Sequence, residues 1–372
     1  MAKLDLKRQE KAKAYAKIMR RLSFFELGLG ITFLLVLLFS PLSAWLAGLL
    51  DFPWPSLKVA SYIATLIMCC GILLAPFSFY GGFVLPHRFG LSVQRLRDWL
   101  IDEVKAGVLG FLLGIGGLVF LYWLLQSFDL WWLFAAAFLI LFAVVMTHLA
   151  PLIIVPLFYK QEPLADEGLR ERLMRLAKRA KTRVVGVFTI NLSSKATTGN
   201  AALMGLGNTR RIVLGDTLLD RYSPDEIEMI MAHELGHHVH RDIAKLIAVE
   251  SATILVGFYL VHLVLTVSVP YFGFNGIADV AAFPLLALVL GAFAFVLEPL
   301  SNAYSRYLEA SADDYALTLT DNPQGFIAAM TKLTNQNLSE AQPSRWVELF
   351  FYDHPPYFKR VARARHYEEG AR

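Results

Sequence analysis

Met231-Ala232-His233-Glu234-Leu235-Gly236-His237-His238 is the stretch from which the rest of the chain can be read. It contains His-Glu-x-x-His, and positions four apart on a helix share nearly one face, so the imidazoles of His233 and His237 can close on one metal ion. Glu234 projects beside them, where a carboxylate can take a proton from an attacking water, as this motif does in metal-dependent peptide hydrolysis. Zinc, one ion per chain, is the expected metal. The motif needs a helix, and Ser223-Pro224-Asp225-Glu226 supplies its start: a capping Ser, a Pro at the first helical position and a Glu three residues after the cap. Ile227, Ile230 and Met231 then give that helix a buried face.

Two histidines leave zinc short of a protein ligand. The candidate third ligand is Glu309, in Ser305-Arg306-Tyr307-Leu308-Glu309-Ala310-Ser311-Ala312-Asp313. Asp313, four residues on, shares its helical face and can accept a hydrogen bond from a ligating imidazole, fixing its tautomer. On spacing alone, a solvated acidic face reads the same way.

The composition places this chemistry in a membrane. Of 372 residues, 56% are hydrophobic and only 18% charged, and the mean hydropathy is +0.49, too apolar for an ordinary soluble protein. The net charge of +4 is modest and its basic residues lie outside the apolar runs; they read as orientation signals, and a nucleic-acid partner is not expected. Cys69 and Cys70 are adjacent within an apolar run, without the spacing of a zinc pair, and read as small membrane-helix residues.

In chain order, residues 1–22 form a basic cytoplasmic arm, and residues 23–157 a four-span region with spans near 23–50, 59–85, 106–127 and 130–157. Residues 158–245 are a catalytic domain carrying the motif helix. It has a helical pattern at Leu169, Leu173, Leu176 and Ala180, a β-rich run over 184–192 and a hairpin turning at Gly207-Asn208. Residues 246–300 are a two-span hairpin with spans near 246–269 and 280–300, and residues 301–372 a cytoplasmic segment. Lys58 is the only basic residue in the three outside turns, against eight Lys or Arg in residues 1–21. That asymmetry places both termini and the catalytic domain on the cytoplasmic side. His238, turned about 100° from His237, and His240 read as non-ligands near the membrane surface. His148, Glu250, His262 and Glu298 fall within or at the ends of spans. An ionisable group facing lipid is costly, so at least two of them are expected to line a hydrated cavity opening toward the metal.

At this point the chain resembles the type I CAAX prenyl proteases, integral-membrane zinc endopeptidases whose relatives include bacterial quality-control peptidases. The resemblance rests on Pro156-Leu157-Phe158, Asn200-Ala201, Arg211-Ile212-Val213-Leu214-Gly215-Asp216-Thr217-Leu218-Leu219, His-Glu-Leu-Gly-His at 233–237, Asn302-x-x-Ser305-Arg306-x-x-Glu309-x-x-x-Asp313, and His354-Pro355-Pro356-Tyr357-Phe358-Lys359-Arg360. It implies a mainly α membrane bundle of about six spans, one fewer than in eukaryotic members, with a cytoplasm-facing gluzincin domain containing a small β-sheet. It also implies that zinc is held by His233, His237 and Glu309, with Glu234 as base and His354 supporting the tetrahedral intermediate. Asp313, Arg306 and Arg360 would brace the ligands. Asn200, with Ala201 and Leu203 on the strand after it, would hold an extended substrate by its main chain. The implied substrate is a peptide or protein, possibly prenylated or membrane-embedded, cut near its C-terminus. A quality-control protease without prenyl specificity is the alternative reading, and a non-catalytic scaffold or transporter a further one.

Overall fold

The structure, a computed structural model, describes residues 3–205 and 207–370, so Leu206 of the expected hairpin lies outside the described residues. Among these residues six helices are long and apolar enough to cross a membrane: Leu6–Phe39, Pro55–Arg88, Leu96–Ser127, Trp131–Phe158, Asp242–Tyr271 and Val280–Thr320. Their outer faces stay bare of protein, with Leu112, Val267 and Val296 at 64%, 77% and 70% exposure, as lipid-facing residues would be.

The first span differs from its expected outline. Asp5 caps a single helix, Leu6–Phe39, that runs through the basic arm and into the apolar stretch, then breaks at Ser40-Pro41 before a short helix, Leu42–Leu49. At 1.5 Å per residue its 34 residues reach about 51 Å. That exceeds a hydrocarbon core of about 30 Å, so the basic turns project beyond it. Nothing in the basic segment breaks a helix; charge alone marks where the membrane ends.

The sixth span also continues past its expected end at residue 300. The helix Phe283–Thr320 passes through Pro299 without ending and carries Asn302, Glu309 and Asp313 into the polar domain as one rod. The fifth span begins at Asp242, immediately after the motif helix Pro224–Val239, across a left-handed Arg241 (φ 56°). Two elements of the domain are therefore welded to membrane helices.

The domain holds a four-stranded sheet in the order β1-β2-β4-β3, where β1 is Gln161–Pro163, β2 Val187–Ile190, β3 Ala201–Met204 and β4 Arg211–Gly215. β2 and β4 are parallel and the other pairs antiparallel. β3 is thus an edge, registered with Ala201 opposite Leu214 and Leu203 opposite Ile212. The expected hairpin exists, but its turn is wider than the pair Gly207-Asn208: the chain leaves β3 at Gly205 (φ 86°) and makes a 3-10 turn over Gly207–Thr209. Leu169, Leu173 and Leu176 pack the helix Glu167–Arg179 onto the domain core with Ile212, Leu214, Met231 and Leu235. A separate core inside the membrane bundle is built on Tyr62, Tyr122 and Trp131.

The four ionisable groups within the spans divide. Glu250 and Glu298 line a cavity of about 540 Å³ between the fifth and sixth spans. His148 lines a second cavity of about 770 Å³ that reaches His237. His262 is met inside the bundle by Trp131, whose Nε1 donates to its Nδ1 at 3.1 Å.

Candidate active site

The motif helix starts as its sequence requires. Ser223 Oγ accepts from Glu226 N at 3.3 Å while the Glu226 carboxylate accepts from Ser223 N at 2.7 Å, a reciprocal cap with Pro224 in the first turn. The helix presents His233 and His237 to the sixth-span helix, and Gly236 sets how closely the two approach. A Cβ at Gly236 would lie 3.1 Å from Ala312 Cα and 3.3 Å from Ala312 O. A side chain at this position would press on that contact, which glycine leaves open.

Across it the donors converge. His233 Nε2 and His237 Nε2 are 3.2 Å apart, and each lies 3.2 Å from an oxygen of Glu309. One donor atom from each of the three residues fits within a 4.8 Å span. Glu309 Oε2 is buried without a hydrogen-bond partner among the described residues; its approach to His233 lacks hydrogen-bond geometry. Two imidazole nitrogens and an unsatisfied carboxylate oxygen facing one point fit a metal ion, and His₂Glu with an open fourth position suits catalytic zinc.

Each imidazole is fixed from behind. His233 Nδ1 lies 2.9 Å from Asp313, a fully buried carboxylate that also accepts from Arg360 Nε at 2.9 Å. His237 Nδ1 lies 2.9 Å from Asp242, which is 2% exposed and accepts from Lys245 Nζ at 2.9 Å. With Nδ1 engaged by a carboxylate, Nε2 is the nitrogen left for a metal. Asp242 is absent from the sequence reading. Its signal was an acid five residues beyond His237, but it reaches the ring only because Arg241 turns the chain between two helices.

Glu234 stands beside the donors, its carboxyl pushed up from the usual range by burial, with His233 and His237 opposing the shift. His354 reaches the site from the loop after the helix Arg345–Phe351, its Nε2 3.2 Å from Glu309 Oε1 and its Nδ1 2.8 Å from Asp353. Asp353 and then Glu309 raise that imidazole to about 10, so it stands as a donor. Arg306, expected to brace the ligands, touches none of them. Its Nη1 donates to the carbonyls of Glu348, at 2.9 Å, and of Tyr352, and Asn302 donates to the Phe350 carbonyl at 3.0 Å. Both therefore hold the backbone that carries His354. Position 306 is nearly a turn before Glu309, and its long side chain follows the neighbouring loop.

β3 runs alongside the motif helix. Asn200 is exposed, Ala201 and Leu203 are half-buried, and β4 is the strand's only sheet neighbour among the described residues. Asn337, also missed by sequence reasoning, clamps Gly199, two residues before this strand: its Oδ1 accepts from Gly199 N at 2.8 Å and its Nδ2 donates to Gly199 O at 3.1 Å.

Residues 163–368 match peptidase family M48, and residues 1–160 match a region described as the CAAX prenyl protease N-terminal, five membrane helices. Four of the six spans lie in that second stretch. An uncharacterized metalloprotease of Bacillus subtilis (strain 168), YhfN, is 29% identical over 95% of this chain and 84% of its own length. The CAAX prenyl protease 1 homolog of Arabidopsis thaliana is 30% identical over 82% of this chain and 73% of its own. The fold is that of the S. mikatae Ste24p crystal structure, with a TM-score of 0.86 at 23% identity, over 97% of this chain and 90% of that one.

Proposed function

This chain belongs to peptidase family M48, and on that premise we propose that it is a zinc endopeptidase whose site faces the cytoplasm and which cuts near the C-terminus of prenylated proteins. It is an integral-membrane metallopeptidase; the metal's identity, the residue roles, the orientation and the substrate are the proposal. The observation that carries it is the convergence of His233, His237 and Glu309 donor atoms within 4.8 Å.

His233 Nε2, His237 Nε2 and a Glu309 oxygen would hold the ion. Bound there, zinc would polarise the scissile carbonyl and lower the pKa of the attacking water. Glu234 takes a proton from that water as its oxygen bonds to the carbonyl carbon, and returns it to the amine nitrogen as the C–N bond breaks. His354, held protonated beside the site, donates to the oxygen on which negative charge develops. The free edge of β3, from Asn200 through Ala201 to Leu203, binds the substrate as an added strand. No covalent enzyme intermediate is needed.

The prenyl preference draws its support from relatives that carry the name CAAX prenyl protease 1. The cytoplasmic orientation draws its support from the basic residues gathered at one end of the spans. The purified protein, given a farnesylated and an unmodified C-terminal peptide of one sequence, should cut the farnesylated one faster at an internal bond, as located by mass spectrometry. Equal rates would replace the prenyl assignment with the quality-control reading, and no cleavage of either would contradict both.

A further inference from the structure

The cavity of about 770 Å³ that reaches His237 lies where the polar domain meets the fourth and fifth spans. Four cationic residues line it: Arg179, Lys181, Arg210 and Arg241. Among the described residues no carboxylate does. Arg179 has partial compensation, since it donates to the Leu319 carbonyl and approaches Glu228 at 4.0 Å. Among the described residues, Lys181, Arg210 and Arg241 have no carboxylate within ion-pair distance.

Two features set this group apart from an ordinary solvated basic face. Lys181 and Arg241 hold left-handed backbone, φ 51° and 56°, just past the ends of two different helices. Glycine is usual at such positions. The helix dipole favours a cation there, so these two alone would carry little. Arg210 ends no helix, and its Nε is buried with no hydrogen-bond partner among the described residues. A buried guanidinium nitrogen without an acceptor is costly unless an anion meets it.

Part of the lining is apolar and belongs to the fifth span. Ile243 and Ile247 stand one above the other on the first two turns of the fifth span. Val239 and Ile243 keep 39% and 40% of their surface exposed. His148 contributes from within the fourth span, ten residues before its end at Phe158. A ligand filling this space needs an anionic head against the cations and an apolar tail running down the fifth span.

We propose that the cavity binds the headgroup of an anionic phospholipid, with an acyl chain along Ile243 and Ile247. Basic pockets between membrane helices at the polar boundary have the chemistry for such headgroups. The cleavage reaction does not require it, and the lipid's phosphate would lie beside the wall that contains His237.

Native mass spectrometry of the full chain, with added phosphatidylglycerol or phosphatidylcholine of identical chains, tests this. Phosphatidylglycerol should leave a tightly retained adduct of one lipid per chain that phosphatidylcholine does not. Each lost cation should weaken it about fivefold, so Arg241→Gln gives about fivefold and Arg210→Gln/Arg241→Gln about 30-fold. Arg175→Gln/Lys178→Gln, which removes equal charge from the helix Glu167–Arg179 outside this cavity, should leave it unchanged. Equal retention of the two lipids, or equal weakening in both double variants, overturns the proposal. Displacement of the adduct by inorganic phosphate alone would make the site one for a free anion and likewise overturn it. A further overturning result would be an unchanged lipid adduct together with a raised KM in Arg210→Gln/Arg241→Gln, confined to peptides with a free C-terminal carboxylate. That would assign the cations to the substrate. Arg241 sits at an exposed turn, so the single variant keeps the test open if the double variant fails to fold.

Discussion

Gly236→Ala puts one methyl group where the motif helix crosses the sixth-span helix. The added Cβ would meet Ala312 Cα at 3.1 Å, Tyr315 Cδ1 at 3.2 Å and Ala312 O at 3.3 Å. Two of the three are backbone atoms of a fully buried residue, so relief has to come from separating the helices by a few tenths of an ångström. Alanine's better helix propensity contributes about 1 kcal/mol in favour, against about 1–3 kcal/mol for overpacking. The expected change in stability is therefore small, about 0–2 kcal/mol destabilising. The consequence for the site is larger, because Ala312 lies between Glu309 and Asp313 on the displaced helix. A shift of this size is comparable with the tolerance of about 0.2 Å on metal–ligand distances. Zinc affinity should fall about 10–100-fold, the range seen when support for a ligand is lost. Competition with graded chelator measures it, beside thermal unfolding of the metal-free protein. Gly114→Ala, in the third span with nothing within 4 Å, serves as the control and should leave zinc binding unchanged. A Gly236→Ala protein that holds zinc as tightly as the parent would refute the idea that helix contact sets the ligand geometry.

Three further outcomes follow from the same geometry. Asp242→Asn should weaken zinc about 10–100-fold, because His237 loses its carboxylate partner; the chelator titration decides it, and unchanged affinity would remove Asp242 from the site. Lys245→Gln should do the same more weakly, since Lys245 touches only Asp242's other oxygen. Glu309→Ala should abolish zinc retention while Asp313→Ala only weakens it, and metal analysis showing the reverse order would exchange their roles.

What could be read from the sequence was local. His233 and His237, or Glu309 and Asp313, are four residues apart, and the reciprocal cap at Ser223 and Glu226 spans three, so helical periodicity put each pair on one face, although for the acidic pair that spacing fits a solvated face equally. The spans were legible because apolar length decides them, although their ends were not. A charged stretch continues a helix as readily as an apolar one, which is why Leu6–Phe39 and Phe283–Thr320 overran their expected limits. Asp242 and Asn337 were not legible: one depends on a left-handed residue reversing the chain, the other joins positions 138 apart. Arg306 carried a site-like spacing yet braces the His354 loop, since spacing fixes a position on a helix and not where a long side chain ends.

The most direct test of the central claim uses Glu234→Gln, analysed for zinc and for peptide cleavage on the same preparation. Glu234 is placed to move a proton and not to hold the metal, so the variant should keep about one zinc per chain, as the parent does, and lose internal cleavage of the farnesylated peptide. Cleavage at the parent's rate, or loss of the zinc along with the activity, would contradict the account.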